Sequence, residues 1–446
     1  MSAFEPVRYA TLTDVGVKRS HNQDACAAQP AVDAAGFAAQ GHVFVVADGM
    51  GGHAVGEKAS AKAARDIPFL YLKYARDGII PAIRRAFQEA NAGIFAIGQQ
   101  NPEFKGLGTT GTALFIRPEG AWVGHVGDSR AYRIRRGLTE QLTFDHSWVW
   151  EIARRQGVDP DDLGDFKKNV IIRSLGPDQE VEVDIEGPYP VEPGDAFLLC
   201  SDGLTAVVTP QEIGAVVTAL APDDAARFLV QIANLRGGPD NITVLIVQTA
   251  GGQSDIADAK AARRGVFARL WSAWNKRVPW SFTVLGAGVG LALLSLVMQI
   301  GAVSGATLLF ALAAILILTG VVGLMVHMQK PEPADGVEVA ADTAPRELHV
   351  YKKHDCHCTQ ELADRFAQIE ATLLENLRAH GIPVDFDAHA KLAANAAAAS
   401  PGDSAAFRAR CYSLLFLAEA FHKSRHKQEA FRPSWTPSPS SPKTSS

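Results

Sequence analysis

The 446-residue chain predicts an α/β (α+β) unit over residues 1–250, then two transmembrane helices and a small helical C-terminal region. Three patterns predict it. Short β-rich runs alternate with amphipathic stretches and Gly/Asp/Pro punctuation up to about Gln248. The stretch from Ser281 to Val326 holds no charged residue, and beyond Lys330 apolar residues return at helical spacing. The length also exceeds the roughly 250 to 300 residues at which single cores stop growing.

In chain order, the strand candidates are VFVVA (43–47), GTALFI (111–116), AWVGHVG (121–127), DAFLLCS (195–201) and ITVLIV (242–247). Each is an apolar, β-favouring run of strand length bounded by turn residues. Between the first two lie helix candidates GEKASAKAARDIPFLYLKYAR and PAIRRAFQEANAGIFAIG. In the latter, Ile83, Phe87, Ile94 and Phe95 share a broad face and Pro81 suits a first turn.

Residues 251–280 read as a juxtamembrane linker, because Arg263, Arg264, Arg269, Lys276 and Arg277 interleave with Phe267, Trp271, Trp274 and Trp280. The uncharged run divides at GAVSG into segments 281–300 and 306–326, each near the ~20 residues that cross a bilayer. A hairpin returns the chain to its starting side. The positive-inside bias then puts the N-terminal unit and the C-terminal region in the cytoplasm, anchored to the inner membrane. Residues 327–358 read as a linker, 359–428 as a helical cytoplasmic region and 429–446 as a disordered Ser/Pro-rich tail. In the helical region Leu362, Phe366, Ile369, Leu373 and Leu377 form a stripe closed by Gly381. SAAFRARCYSLLFLAEAFHK is too short in apolar length and carries Glu419, so it reads as a buried helix and not a third span.

A formal net charge of −5 without a long basic tract gives no footprint for nucleic acid. The five cysteines are odd in number and scattered, which fits a reducing compartment. His354, Cys356, His357 and Cys358 cluster in HVYKKHDCHC, but their spacing matches no closed zinc knuckle, and an incidental polar linker is the favoured reading.

Five carboxylates sit where apolar elements surface. Asp48 ends VFVVAD, Asp202 follows DAFLLCS, Asp240 precedes ITVLIV, and Asp128 and Asp24 lie in HVGDSRAY and KRSHNQDAC. Singly, each is ordinary turn or cap chemistry. Converging, they would repel one another unless cations neutralised them. Such hard oxygen donors suit Mg²⁺ or Mn²⁺, and no HExxH or paired CxxC favours zinc. Glycine after an acid lets the backbone approach closely, so the Gly49 carbonyl is a further candidate ligand. Two divalent ions bridged by one carboxylate would hold a water of lowered pKa, and Arg19, five residues before Asp24, suits a phosphate clamp. These parts describe metal-assisted hydrolysis of a phosphate ester; no Walker loop or kinase motif set appears.

The stretches RSHNQD, VVADGMGGH, GLGTTGTAL, HVGDSRAYRI, LTFDHSWV, NVIIRSLG, PGDAFLLCSDGL and GGPDNITVLIV follow one another in an order that resembles the protein phosphatase 2C family of metal-dependent Ser/Thr phosphatases. The resemblance covers roughly the first 250 residues. It implies an α-β-β-α sandwich with the metals in a cleft at one end. It further implies that Asp48 bridges two Mn²⁺ or Mg²⁺ ions, that Gly49 and Asp202 complete one site, and that Asp240 belongs to the other. Asp24 would act through metal-bound water, Asp128 would help a third, labile ion, Arg19 would hold the substrate phosphate, and Thr110 would support the site. Residues 146–174 correspond to a mobile flap over the cleft. Met50 departs from the animal branch, which has a proposed general-acid histidine there; this DGMGG form resembles the bacterial branch, and Met50 cannot donate a proton. His53 is given no catalytic role.

The expected protein is therefore a membrane-anchored phosphoprotein phosphatase acting on phosphorylated Ser/Thr proteins, among them a Ser/Thr kinase or its substrates. The alternatives are a catalytically silent phosphoprotein-binding scaffold, or a phosphatase dedicated to one regulatory protein such as an anti-sigma-factor antagonist.

Overall fold

The computed structural model describes residues 7–51, 55–101, 104, 106–163, 170–249, 348–398 and 403–429, with isolated positions between 291 and 314. By contacts, the chain divides into one unit of Met1–Ser254 with Arg346–Ser446 and a second of Asp255–Pro345. The expected hairpin at 281–326, the juxtamembrane segment 251–280, the tail beyond 429 and His53 lie outside the described residues, apart from those isolated positions. Among the described residues no helix is long and apolar enough to cross a membrane.

Two antiparallel sheets form the centre of the first unit. One runs in the order β1 (Arg8–Asp14), β11 (Ile242–Gln248), β10 (Ala196–Cys200), β7 (Arg130–Arg135), β8 (Leu138–Gln141) and β12 (Lys352–Asp355). The other runs β2 (Asp24–Gln29), β3 (His42–Met50), β5 (Gly111–Arg117), β6 (Gly120–Val126) and β9 (Asp184–Tyr189), with β4 (Gly108–Thr109) on the end of β3. The helices are α1 (Ala34–Gln40), α2 (Val55–Tyr74), α3 (Ile79–Gln100), α4 (Trp148–Gln156), α5 (Asp202–Thr205), α6 (Pro210–Ala219), α7 (Pro222–Leu235), α8 (Gln360–Ala379), α9 (Phe386–Ala398) and α10 (Ser404–Glu429).

Period-two side chains build the layers. On β3, Phe44 and Val46 point between the sheets, where they meet Leu114, Phe197, Leu199, Leu245 and Val247. Val43, Val45 and Ala47 point the other way, against Ile67 and Tyr71 of α2 and Ile83, Phe87 and Ile94 of α3. Because both faces are covered, these strands read as continuous apolar runs, which is why the sequence exposes them. On the far side, Leu198, Cys200, Val244 and Ile246 pack under Ile213 and Val216 of α6 and Phe228, Leu229 and Ile232 of α7. The start of α6 is fixed by a Thr209/Glu212 capping box with Pro210 in the first turn.

The C-terminal region corrects the expected boundaries. Lys352–Asp355, placed by sequence within a linker, is a strand paired antiparallel with β8, from Lys352 opposite Gln141 to Asp355 opposite Leu138. Its KKHD sequence has no apolar period; the open edge of β8 supplies its hydrogen bonds. Beyond it, Leu362, Phe366, Leu373 and Leu377 of α8 and Phe407, Cys411 and Leu414 of α10 belong to the same buried cluster as α6 and α7. Phe366 lies 5.2 Å from Phe228 and 5.6 Å from Phe407, ring centre to ring centre. The region is thus a layer of the first unit and shares its core.

Candidate active site

The acids gather where strand ends of the two sheets meet. Asp24 opens β2 and stands directly opposite Asp48 near the end of β3. Asp202 begins α5 immediately after β10 and Ser201, Asp240 lies in the turn entering β11, and Asp128 sits between β6 and β7. Three contacts stitch the sheets at this end. Ser201 Oγ donates to Asp24 Oδ2 (2.7 Å), the Gln23 amide donates to Asn241 Oδ1 (2.8 Å), and Asn241 Nδ2 donates to the His21 carbonyl (2.9 Å), while the same amide also holds the Val15 carbonyl within its own sheet (2.9 Å).

Two glycines allow the approach. A Cβ on Gly49 would lie 2.2 Å from the Gly56 carbonyl oxygen and 2.5 Å from that of Gln23, so the chain beside Asp48 must be bare. A Cβ on Gly203 would lie 2.0 Å from the Asn241 carbonyl oxygen, which would push the Asp202 turn away from the Asp240 turn. Asp48 itself is held through its backbone. Its amide donates to Thr110 Oγ1 (2.8 Å), and its carbonyl accepts from the Thr110 amide (2.8 Å) and Thr109 Oγ1 (2.9 Å). Thr110 Oγ1 in turn bonds Ser129 Oγ at 2.7 Å, tying the strand that holds Asp48 to the turn that holds Asp128.

Burial and mutual repulsion load these carboxylates. Asp24 is pushed up to about 6 by burial, with the charges of Asp202 and Asp240 adding and hydrogen bonds from Ser201 and Thr243 opposing. Asp202 is raised to about 6 by burial and then by Asp240. Asp128 rises to about 8 through burial, Asp202 and Asp145, against the pull of Arg130. Asp48 is raised well above the carboxylate range by burial, and then by Asp24, Asp202, Asp128 and Asp240. It therefore feels all four other acids, which makes it the electrostatic centre of the group.

Arg19 belongs to this end as well: its Nη2 lies 2.7 Å from Asp240 Oδ2, with half of the side chain exposed. Asp24 Oδ1, Asp128 Oδ1 and Asp202 Oδ1 are buried without a hydrogen-bond partner. Such orphaned anionic oxygens are costly unless something positive meets them, and their hard-donor character fits Mg²⁺ or Mn²⁺. Among the described residues no three His, Cys, Asp or Glu side chains close around an ion by themselves. Hard cations commonly complete their shells with water and backbone carbonyls, so an acidic set of this kind still fits them.

Each acid and arginine named from sequence lies at this end of the sandwich. Sequence reasoning missed Ser201, Asn241 and Ser129, which orient the acids; next to Asp residues in turns, they read as ordinary caps. Met50 ends β3, half-buried. The His/Cys group does not converge. His354 Nδ1 bonds the Gln211 amide (3.1 Å), Cys356 is buried near Gly214 in the α6 layer, and His357 is exposed against Asp355. β12 ends at Asp355, so only His354 of this group lies on the strand; His354 and Cys356 both face α6 while His357 turns to solvent, and among the described residues no three of these side chains close around an ion.

Residues 17–235 match the sequence profile described as "Protein phosphatase 2C". The protein phosphatase PhpP of Streptococcus pneumoniae is 38% identical over 242 residues, covering 53% of this chain and 95% of that protein. The chain belongs to the protein phosphatase 2C family. The serine/threonine phosphatase stp of Listeria monocytogenes is 34% identical over 242 residues, covering 53% of this chain and 93% of that protein. The PPM Ser-Thr phosphatase MsPP from Mycobacterium smegmatis, solved with cacodylate, is 34% identical, covers 55% of this chain and 99% of that one, and superposes with a TM-score of 0.48. This protein phosphatase 2C chain is a metal-dependent Ser/Thr protein phosphatase.

Proposed function

We propose that this phosphatase works at a dinuclear Mn²⁺ or Mg²⁺ centre assembled on Asp48, from a membrane-anchored, cytoplasm-facing position. The observation that carries the metal assignment is the set of three buried, unpartnered carboxylate oxygens around Asp48. Asp48, the Gly49 carbonyl and Asp202 would hold one ion, and Asp48 with Asp240 the other. Asp24 would act through an intervening water, and Asp128 would hold a third, weaker ion. Bound divalent ions supply Lewis acidity toward a phosphoryl oxygen and a water acidified to neutral pH.

The chain's own residues do the rest. Thr109 and Thr110 clamp the backbone of Asp48, so its carboxylate is aimed without reorganisation. Arg19, paired with Asp240 and half-exposed, can exchange that partner for a phosphate. Met50 offers no proton to the departing serine or threonine oxygen.

The fold supports the membrane topology independently of charge. Because β12 pairs with β8, residues 348–429 and 7–249 must occupy the same compartment. The uncharged 281–326 run between them can then cross a bilayer only an even number of times, which a hairpin satisfies. Substrates would be phosphoserine and phosphothreonine proteins near that membrane, including a kinase of the same signalling pair or its targets.

The test uses the full chain in detergent. It should hydrolyse p-nitrophenyl phosphate and a phosphothreonine peptide with Mn²⁺, lose turnover in EDTA, and fall at least about 100-fold in Asp48→Asn and Asp240→Asn. Wild-type protein with no metal-dependent turnover would overturn the reading. Protease protection in sealed inner-membrane vesicles tests the topology: both termini must be cleaved from the same side.

A further inference from the structure

The excursion that begins at His146 is rooted on both sides of the acidic cluster. At its start, the His146 amide donates to the Gly127 carbonyl (2.7 Å), next to Asp128. At its return, Leu175 exchanges two backbone hydrogen bonds with Thr109 (2.8 and 3.0 Å), the residue that holds the Asp48 carbonyl. Helix α4 and the 3-10 turn Pro160–Leu163 therefore belong to a span whose two ends are both rooted at the site.

What holds them comes from the C-terminal region. Lys352 Nζ lies 2.7 Å from both Asp159 Oδ1 and Asp161 Oδ2, with its side chain only 13% exposed. The same ammonium lies 5.3 Å from the ring centre of Trp150 in α4, whose other neighbours are Phe144, edge-on at 5.1 Å, and Arg130 at 5.7 Å. Arg130 forms a fork with Asp145, the residue before His146. Immediately before β12, Tyr351 packs on Phe144 and donates to Glu186 Oε1 (3.1 Å). A short stretch roughly 190 to 210 positions distant in sequence thus grips the excursion at its root, its helix and its turn.

We propose that Lys352 is a positioning residue for phosphoprotein hydrolysis. From β12 it fixes α4 and the 160–163 turn beside the acidic cluster, so that a peptide substrate meets a preformed wall. The proposal rests on the phosphatase reading above. A small aryl phosphate reaches the acids without touching that wall, whereas a phosphopeptide must lie along it. A held surface lowers the ordering cost of binding, so loosening it raises KM for the peptide selectively.

The experiment compares wild type, Lys352→Ala, Lys352→Arg and Asp159→Asn/Asp161→Asn as full chains in detergent with Mn²⁺. Lys352→Ala should raise KM for a phosphothreonine peptide roughly three- to tenfold while p-nitrophenyl phosphate turnover stays within about twofold. Lys352→Arg should restore most of the loss, the double asparagine variant should reproduce it, and adding Lys352→Ala to that variant should change little further. Hydrogen exchange at the amides of 148–163 should quicken in Lys352→Ala, and also when that change is made in the Asp48→Asn background, where activity has no influence. Equal KM changes for both substrates, no change for either, or unaltered exchange would each overturn the proposal. Wild type that turns over neither substrate sinks the phosphatase reading and the positioning role with it; wild type that turns over while Lys352 is indifferent sinks the positioning role alone.

Discussion

Replacing Phe366 by alanine tests whether the C-terminal helices share the core of the catalytic unit. Phe366 is fully buried, with its ring between Phe228 of α7 and Phe407 of α10. Truncation removes the transfer energy of a benzyl group, leaves a cavity lined by two aromatic rings, and deletes two ring pairs. Together these cost about 3–5 kcal/mol, of a stability that for a domain is about 5–15 kcal/mol. The loss should appear in chemical denaturation of the full chain, followed by tryptophan fluorescence and by phosphatase activity. Both signals should shift together to lower denaturant, because α7 lies against β11, which the Asp240 turn enters, and against α5, which begins at Asp202. A shift worth less than about 1 kcal/mol, or an activity transition that stays in place while a separate C-terminal transition moves, would refute the shared core.

Further outcomes follow from the site and its supports. Thr110→Val keeps shape but strands the Asp48 amide, so it should cost about 1–3 kcal/mol and reduce the rise in melting temperature given by Mn²⁺. In EDTA, Asp24, Asp202 and Asp128 hold protons in the folded state above their unfolded values, so stability should fall as pH rises from about 4 to about 8. Buried His125 and His42, lowered to about 3 and about 4 by burial, act oppositely and cost stability as pH falls below 6.5. Melts between pH 6.5 and 8 isolate the carboxylates; a melting temperature that climbs there without metal, or a fall that Mn²⁺ does not suppress, would contradict the assignment. Glu370 is buried and accepts from His389 Nε2 and Arg410 Nη1 at 2.7 Å each, so Glu370→Gln should cost toward the lower end of about 3–5 kcal/mol, because Arg410 keeps partial contact with water. Urea unfolding measures it.

The strands that bring in Asp48, Asp202 and Asp240 were legible because both of their faces are covered, and VFVVA or ITVLIV can hardly be anything else. The acids were legible because they interrupt such runs. Other strands were hidden for physical reasons. DACAAQ of β2 has small or polar side chains, RAYRIR of β7 sets arginines among its apolar residues, and their pairing is decided by neighbours far along the chain. KKHD of β12 is a strand only because β8 offers it an edge. The stripe of α8 announced a helix with one apolar face, but nothing local said that the face belongs against α7 and α10. Ser201 and Asn241 orient the acids through contacts across the two sheets, which no spacing encodes.

The pairing of β8 with β12 also has a meaning in time. Gln141 leaves the ribosome roughly two hundred residues before its partner Lys352, about 10 to 40 s at ordinary rates of synthesis. During that interval the edge of β8 is an unpaired row of amides and carbonyls, the kind of edge that recruits other chains. A nascent chain, or a fragment cut near residue 250, stays in that open form. The same fragment leaves the outer faces of α6 and α7 without α8 and α10 over them. Expression of such a fragment should therefore favour self-association, and supplying residues 346–429 separately should be able to close the edge in trans.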